Sequence, residues 1–501
     1  MKKKTIFLPI LIAAIAPARP PAKAPAGAPA RTAAPAALPT TPRQLKYPPL
    51  KAIQIPDVTR FTLSNGMRVY LLENHELPVV SGTALVRTGN LFDPPGKAGL
   101  AGLTGAQMRA GGTSAKTGDQ IDEQLENIAA SVESSIGETS GQVSFSALKE
   151  NTDEVLSVFH DVITDPAFRE DKLSLAKLQM SSSILRRNDD AGSIAEREYA
   201  SIVYGRDNPY GRRIELADLA SIKREDLVNF YRRYFFPRNI MLAVYGDFSA
   251  PEMRAKLEKL FGGWKYNQPD VPPFPPCRSK AAPGVYLAAK EDVNQAFLSI
   301  GHIGGVLKDK DTAALEIMAD ILGGGFSSRL FKRVRTQLGY AYDISASWGV
   351  DYGHPGLFQI SGSTKSASTV DALRVIREEI ERIRTQPVTD EELKIAKDTV
   401  LNGFVFAFDT PVKTLSRIVR YEYYGYPPGF IFEYQKAVAA VTKADILRVA
   451  KEHLKPEDLT IVAVGNPLEF GMPLTALGLP LSKIDLTIPK PGEAKAAGEV
   501  K

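Results

Sequence analysis

The feature that most constrains this chain of 501 residues is that it repeats itself. The segment EDLVNFYRRYFFPRNIMLAVYGD, ending at Asp247, has the same layout as ADILRVAKEHLKPEDLTIVAVGN, ending at Asn466. Each is an amphipathic helix, a turn at proline, an apolar strand, and a glycine followed by Asp or Asn. Pro237 answers Pro456 and Gly246 answers Gly465, both 219 residues apart. Upstream, DPAFREDKLSLAK ending at Lys177 answers QPVTDEELKIAK ending at Lys397, 220 residues apart. A fixed period of this kind means that one folding unit occurs twice.

The repeat divides the chain. Residues 53–265 form the first half, 266–283 a proline-rich linker, and 284–486 the second half, with a disordered tail expected at 487–501. RFTLSNGMRVYLLEN carries Asn65-Gly66, a tight-turn signal between two strands. Long amphipathic helices follow, such as 368–383. The fold class expected is α+β: a tandem duplication of two homologous halves, each a mostly antiparallel sheet flanked by helices, forming a clamshell. A cleft between two such halves is a usual place for a ligand.

The N-terminus has its own grammar. Three lysines precede TIFLPILIAAIA and then small residues, which is the order of a secretory signal over residues 1–18. The apolar run is shorter than the roughly 20 residues needed to cross a bilayer. Residues 19–52 are Ala/Pro-rich and read as a disordered tether. The chain is therefore expected in the periplasm, membrane-associated only where the signal stays uncleaved. The net charge of +5 is small for this length, which argues against a nucleic-acid partner. The single cysteine, Cys277, excludes an intrachain disulfide and a thiolate zinc cluster.

Two stretches carry the functional signal. VVSGTALVRTGNLFDPPGKAGLAGLTGAQMRAGGTS, in the first half, and ILGGGFSSRLFKRVRTQLGYAYDISAS, residues 321–347, resemble the pitrilysin/insulinase family of zinc metallopeptidases. The resemblance implies a helix bearing His-x-x-Glu-His after Gly99-Leu100-Ala101. Histidines four apart share a helix face and reach one metal, while the glutamate activates its bound water. Here Gly102, Gly105 and Ala106 occupy the two histidine positions and the glutamate position, and no His or Glu lies anywhere in 94–122. The third ligand of the family falls near Ser181-Ser182-Ser183. His75, His160, His302, His354 and His453 are dispersed, with no His or Cys at helical ligand spacing, and read as surface or satisfied histidines.

The second stretch keeps what the first has lost. The resemblance assigns Arg335 and Tyr342 to substrate and transition-state binding across the cleft from the zinc. A guanidinium and a phenol both donate to a carbonyl oxygen as it gains charge. Taken without the resemblance, the same residues read as a surface arginine and a core tyrosine. Gly323-Gly324-Gly325 lacks the Lys-Ser/Thr of a phosphate loop and reads as a turn after a helix. GQVSFSALK, residues 141–149, alternates as an edge strand does and is expected to line the chamber, where a peptide adds as a strand; a buried structural strand fits the pattern as well.

The resemblance thus implies a chain inactive alone, binding no cofactor itself. Zinc is expected in a homologous His-x-x-Glu-His partner subunit, with peptides as substrates. The alternative is a catalytically inert assembly or peptide-binding, chaperone-like homologue.

Overall fold

The computed structural model describes residues 56–491. The expected signal and tether, with most of the tail, lie outside the described residues. The first sheet contains β1 (Thr59–Thr62), β2 (Arg68–Glu73), β3 (Val79–Val86), β4 (Ser131–Ile136), β5 (Gly141–Leu148) and β6 (Ile240–Gly246), in the order β1-β2-β6-β3-β5-β4. The second contains β7 (Gly284–Ala289), β8 (Gln295–Ile303), β9 (Gly305–Val306), β10 (Ala341–Asp351), β11 (Pro355–Lys365), β12 (Thr460–Gly465) and β13 (Leu481–Lys483), in the order β13-β7-β12-β8-β11-β10-β9.

The duplication is visible in the pairing. β2 runs parallel to β6, and β6-β3-β5-β4 are antiparallel in turn. β7 runs parallel to β12, and β12-β8-β11-β10 are again antiparallel. Asn65-Gly66 does sit in the turn between β1 and β2, with Gly66 at φ 92°, a left-handed backbone that favours glycine.

Helices of the first half are α1 (Leu100–Ala110), α2 (Gly118–Asn127), α3 (Thr152–Thr164), α4 (Glu170–Leu185), α5 (Ala191–Tyr204), α6 (Leu216–Ser221), α7 (Arg224–Tyr234) and α8 (Ala250–Phe261). Those of the second are α9 (Thr312–Gly323), α10 (Thr369–Thr385), α11 (Asp390–Val405), α12 (Pro411–Tyr424), α13 (Phe430–Ala440) and α14 (Lys443–His453). The central strands β6 and β12 are almost entirely apolar and buried, as strands covered on both faces are.

What covers the second face comes from the other half. Leu415, Val419 and Tyr423 of α12 pack on Tyr70, Leu72, Met241 and Ala243 of the first sheet. Ile194, Tyr199 and Val203 of α5 pack on Ala288, Val462 and Val464 of the second. Each such side chain stabilises the union by about 2 kcal/mol on burial. Two tyrosines reinforce the exchange: the Tyr199 hydroxyl donates to the Phe358 carbonyl, and the Tyr423 hydroxyl to the Thr139 carbonyl. The halves hold each other through swapped helices.

One expectation changes here. The strand at 141–149 is not an edge: β5 is paired on both sides, by β3 and β4, and the edge is β4. Alternation in sequence reports two unlike faces, and an interior strand has those as well. The linker is also fastened down. Arg233 donates to the carbonyls of Pro269 and Asp270, and the Tyr210 hydroxyl to that of Pro275.

Candidate functional site

Helix α1 begins where the buried Asp93 carboxylate accepts the N–H groups of Gly99 and Ala101, each at 2.8 Å. A carboxylate suits this end because the first N–H groups of a helix have no partner within it. Near its other end Arg109, also buried, donates through Nε to the Val132 carbonyl at 2.9 Å and through its guanidinium to Asp122. The helix therefore lies tightly along β4.

That tightness decides what its bare positions can hold. A Cβ on Gly102 would meet nothing within 4 Å, and Ala106 is exposed. A Cβ on Gly105 would stand 2.3 Å from the Ile136 nitrogen, inside the β4 backbone. The two histidine positions are merely empty, whereas the glutamate position has no room for any side chain. On α4, the Ser182 and Ser183 hydroxyls donate back to the Leu178 and Gln179 carbonyls of their own helix. Two carboxylates of α2 are engaged as well, Asp122 with Arg109 and Asp119 with Lys172.

The corresponding region of the second half is built differently. Helix α9 lies along β10 and ends at Gly323, where a Cβ would stand 2.2 Å from the Ala346 nitrogen. The glycine turn leads into Phe331–Gln337, a wide π-helical stretch of the kind often found at functional sites. This stretch and the start of β10 bring Arg335 and Tyr342 together: the guanidinium carbon lies 5.0 Å from the Tyr342 ring centre and 4.7 Å from that of Phe331. Phe326, 79% exposed, closes the cluster edge-on against Phe331.

Tyr342 is 75% exposed, so it is not a core tyrosine. Among the described residues its hydroxyl has no hydrogen-bond partner, and the Arg335 guanidinium has no carboxylate. A cation over an aromatic face is held by the ring quadrupole while its N–H groups stay free to donate. The arrangement is two unspent donors side by side at a surface.

Sequence reasoning passed over two acids on the helix that precedes this cluster. Glu316 and Asp320 stand four apart on α9, an otherwise almost wholly apolar helix. Burial pushes the Asp320 carboxyl up to about 6. Glu316 keeps surface open to solvent, yet the protein crowded around it and the Asp320 charge push it up to about 7. Two isolated acids at helical spacing in an apolar run were the available signal.

Four of the five histidines are satisfied. His75 pairs with Asp247 at 2.6 Å, His160 with Asp161 at 3.0 Å, and His453 with Asp311 at 3.0 Å. His302 uses both ring nitrogens on main chain, at Ile303 and Lys455. Burial raises the Cys277 thiol, which disfavours the thiolate a nucleophile needs. His354 differs, its Nε2 being buried with no hydrogen-bond partner.

Comparison with known proteins agrees with this picture. The family model described as insulinase (peptidase family M16) matches residues 68–215, and that described as peptidase M16 inactive domain matches residues 221–400. A Helicobacter pylori protein named non-peptidase homolog YmxG is 26% identical over 406 residues, covering 79% of this chain and 90% of its own. A Rickettsia felis protein named an uncharacterized zinc protease is 25% identical over 355 residues, covering 69% and 82%. In fold, the chain is similar to a crystal structure from Pseudomonas fluorescens described as a peptidase M16 inactive domain. The TM-score is 0.73 at 21% identity, over 83% of this chain and all of that one. A Helicobacter pylori protease structure gives 0.69 at 19% identity, over 82% of this chain and all of that one.

Proposed function

The chain belongs to the insulinase peptidase family M16, and from that premise we propose that it is the non-zinc subunit of a two-chain peptidase. In this reading a homologous partner brings the His-x-x-Glu-His helix, and this chain brings Arg335 and Tyr342. The observation that supports it most is the unspent guanidinium and phenol held together on a solvent-facing surface. Zinc, if held by the His-x-x-Glu-His residues of such a partner, would supply an activated water and Lewis-acid polarisation of the scissile carbonyl. Arg335 and Tyr342 donate to the carbonyl oxygen as it becomes an oxyanion. Removing one such donor costs roughly 10²–10³ in rate. An extended peptide is held by strand addition at a sheet edge, and in the first half β4 is one such edge. In this reading the signal-like leader directs the chain to the periplasm, where it acts on short or unfolded peptides.

A second reading, an inert assembly or peptide-holding homologue, is favoured by the name of the Helicobacter relative. The two separate in one experiment. The tagged chain is recovered from its native host, and chelator-sensitive peptidase activity is measured beside an Arg335→Ala, Tyr342→Phe version. Activity with the wild type, and the same partner without activity in the double variant, supports the shared site. Equal activity in both makes the pair structural and the chain a scaffold. No activity with either supports the inert reading.

A further inference from the structure

One hairpin from each sheet meets the other at its turn. The β4–β5 turn of the first half contributes Glu138, and the β10–β11 turn of the second contributes Asp351 and His354. His354 is 5% exposed, with its ring 4.5 Å from that of Tyr210. Its Nδ1 donates to the Pro355 carbonyl at 3.0 Å, an oxygen that also accepts from the Tyr204 hydroxyl at 2.8 Å. That bond leaves the lone pair of a neutral ring on Nε2, and Nε2 is buried with no hydrogen-bond partner. It faces Glu138 Oε2 at 3.4 Å and Asp351 Oδ2 at 3.7 Å.

These separations are long for hydrogen bonds and suit ligands that share an ion. Ligand bonds of about 2.1 Å in a tetrahedral shell place neighbouring donor atoms about 3.4 Å apart. The three donor atoms all lie within 4.8 Å of one another. A histidine whose second nitrogen is fixed by a backbone carbonyl is the usual form of a metal-ligating imidazole. Glu138 and Asp351 side chains are 41% and 37% exposed, so an entry path and positions for water exist. The other cluster of this composition, Asp311, Glu452 and His453, differs in kind: Arg448 donates to both Asp311 oxygens, at 2.8 and 3.2 Å, and fills the place of a cation.

We propose that Glu138, Asp351 and His354 form a binding site for a divalent transition-metal cation, zinc or a similar ion, that ties the two halves together. One imidazole with two carboxylates suits such an ion, whereas calcium requires six to eight oxygens. The site is separate from the family's zinc position on α1, and it stands whether or not the chain serves a peptidase.

The test uses the full chain, tag-free and stripped with chelator, titrated calorimetrically with Zn²⁺. Co²⁺ absorption reports whether nitrogen and oxygen donors are bound. The expected result is one ion per chain, with Kd of about 10 µM or tighter. Affinity should fall at least about tenfold in E138Q and in D351N, while an excess of Mg²⁺ leaves Zn²⁺ bound. The two carboxylate variants lie at partly exposed positions, so the test does not depend on a His354 variant that fails to fold. Binding of equal strength in wild type and both variants, or no stoichiometric binding below about 100 µM, overturns the proposal. The cluster is then a charge contact between the hairpins.

Discussion

Helices α1 and α9 hold corresponding places in their sheets. Each lies along the fifth strand of the shared five-strand pattern, β4 or β10, and each packs beside the helix that precedes the central strand β6 or β12, namely α7 or α14. Each carries one glycine pressed into strand backbone, Gly105 on β4 and Gly323 on β10. They part in what surrounds them. On α1 the zinc-motif side chains are absent and the α2 acids beside it are paired, whereas α9 carries two acids with raised pKa and leads to the exposed Arg335–Tyr342 pair. The difference teaches that close packing was kept in both halves, while polar groups free to act were kept in one.

The comparison breaks most easily at its glycines. Gly105→Glu, which restores the family's glutamate in name, should lower stability by about 3 kcal/mol or more, because a backbone cannot yield as a side chain can. Urea unfolding measures it. Gly102→His and Ala106→His should each stay within about 0.5 kcal/mol of wild type, having open space or solvent to enter. If the glutamate variant is as stable as these two, the helix sits more loosely than its geometry implies. Gly323→Ala, against β10, should lose about 2 kcal/mol, its clash outweighing the gain in helix propensity. A neutral result would make the tight contact a property of the first half alone.

The buried aspartates at the starts of the two helices should titrate with opposite signs. Burial pushes Asp93 up to about 6, so between about pH 4 and 6 the folded chain holds a proton that the unfolded chain releases. Its contribution to stability grows as pH falls through 6, by up to about 2–3 kcal/mol. The hydrogen bonds and charge of Arg448, with His453, hold Asp311 down at about 2. Its stabilisation is complete above about pH 4 and is lost as pH falls through 2, up to about 2 kcal/mol. Unfolding measured at pH 7, 5 and 3 should show Asp93→Asn flattening the curve between 4 and 7, and Asp311→Asn flattening it below 4. The same slope change from both variants would refute the assignment.

The smallest effect concerns the swapped helices. Tyr199→Phe and Tyr423→Phe each leave one buried carbonyl short of a donor, at about 1 kcal/mol apiece. Similar values would mark the two exchanges as energetically alike. A large excess in one would name the helix on which the union depends.

Much of this was legible beforehand, and the reasons differ by feature. The repeat, the strand runs and the loss of the zinc set are matters of residue identity and spacing, which the chain displays openly. The placement of residues 141–149 went astray because alternation reports two faces and is silent about neighbours on either side. Arg335 and Tyr342 could be named from the motif, but the exposure of Tyr342 depended on how the π-helical stretch meets β10. Glu138, Asp351 and His354 could not be found by spacing, since Glu138 is more than two hundred residues from the other two.

The sequence by itself determined that one unit is used twice, and that the first copy lacks groups able to hold zinc in the family's manner. Local pattern suffices for both, because periodicity and side-chain chemistry are carried residue by residue. Only the tertiary structure decided that each sheet is covered by a helix from the other half, that Gly105 has no room for the missing glutamate, and that two hairpins bring three metal-ligating groups to one point. Those outcomes are distances between segments remote in the chain. Such distances follow from how whole faces pack, and no single stretch of sequence contains them.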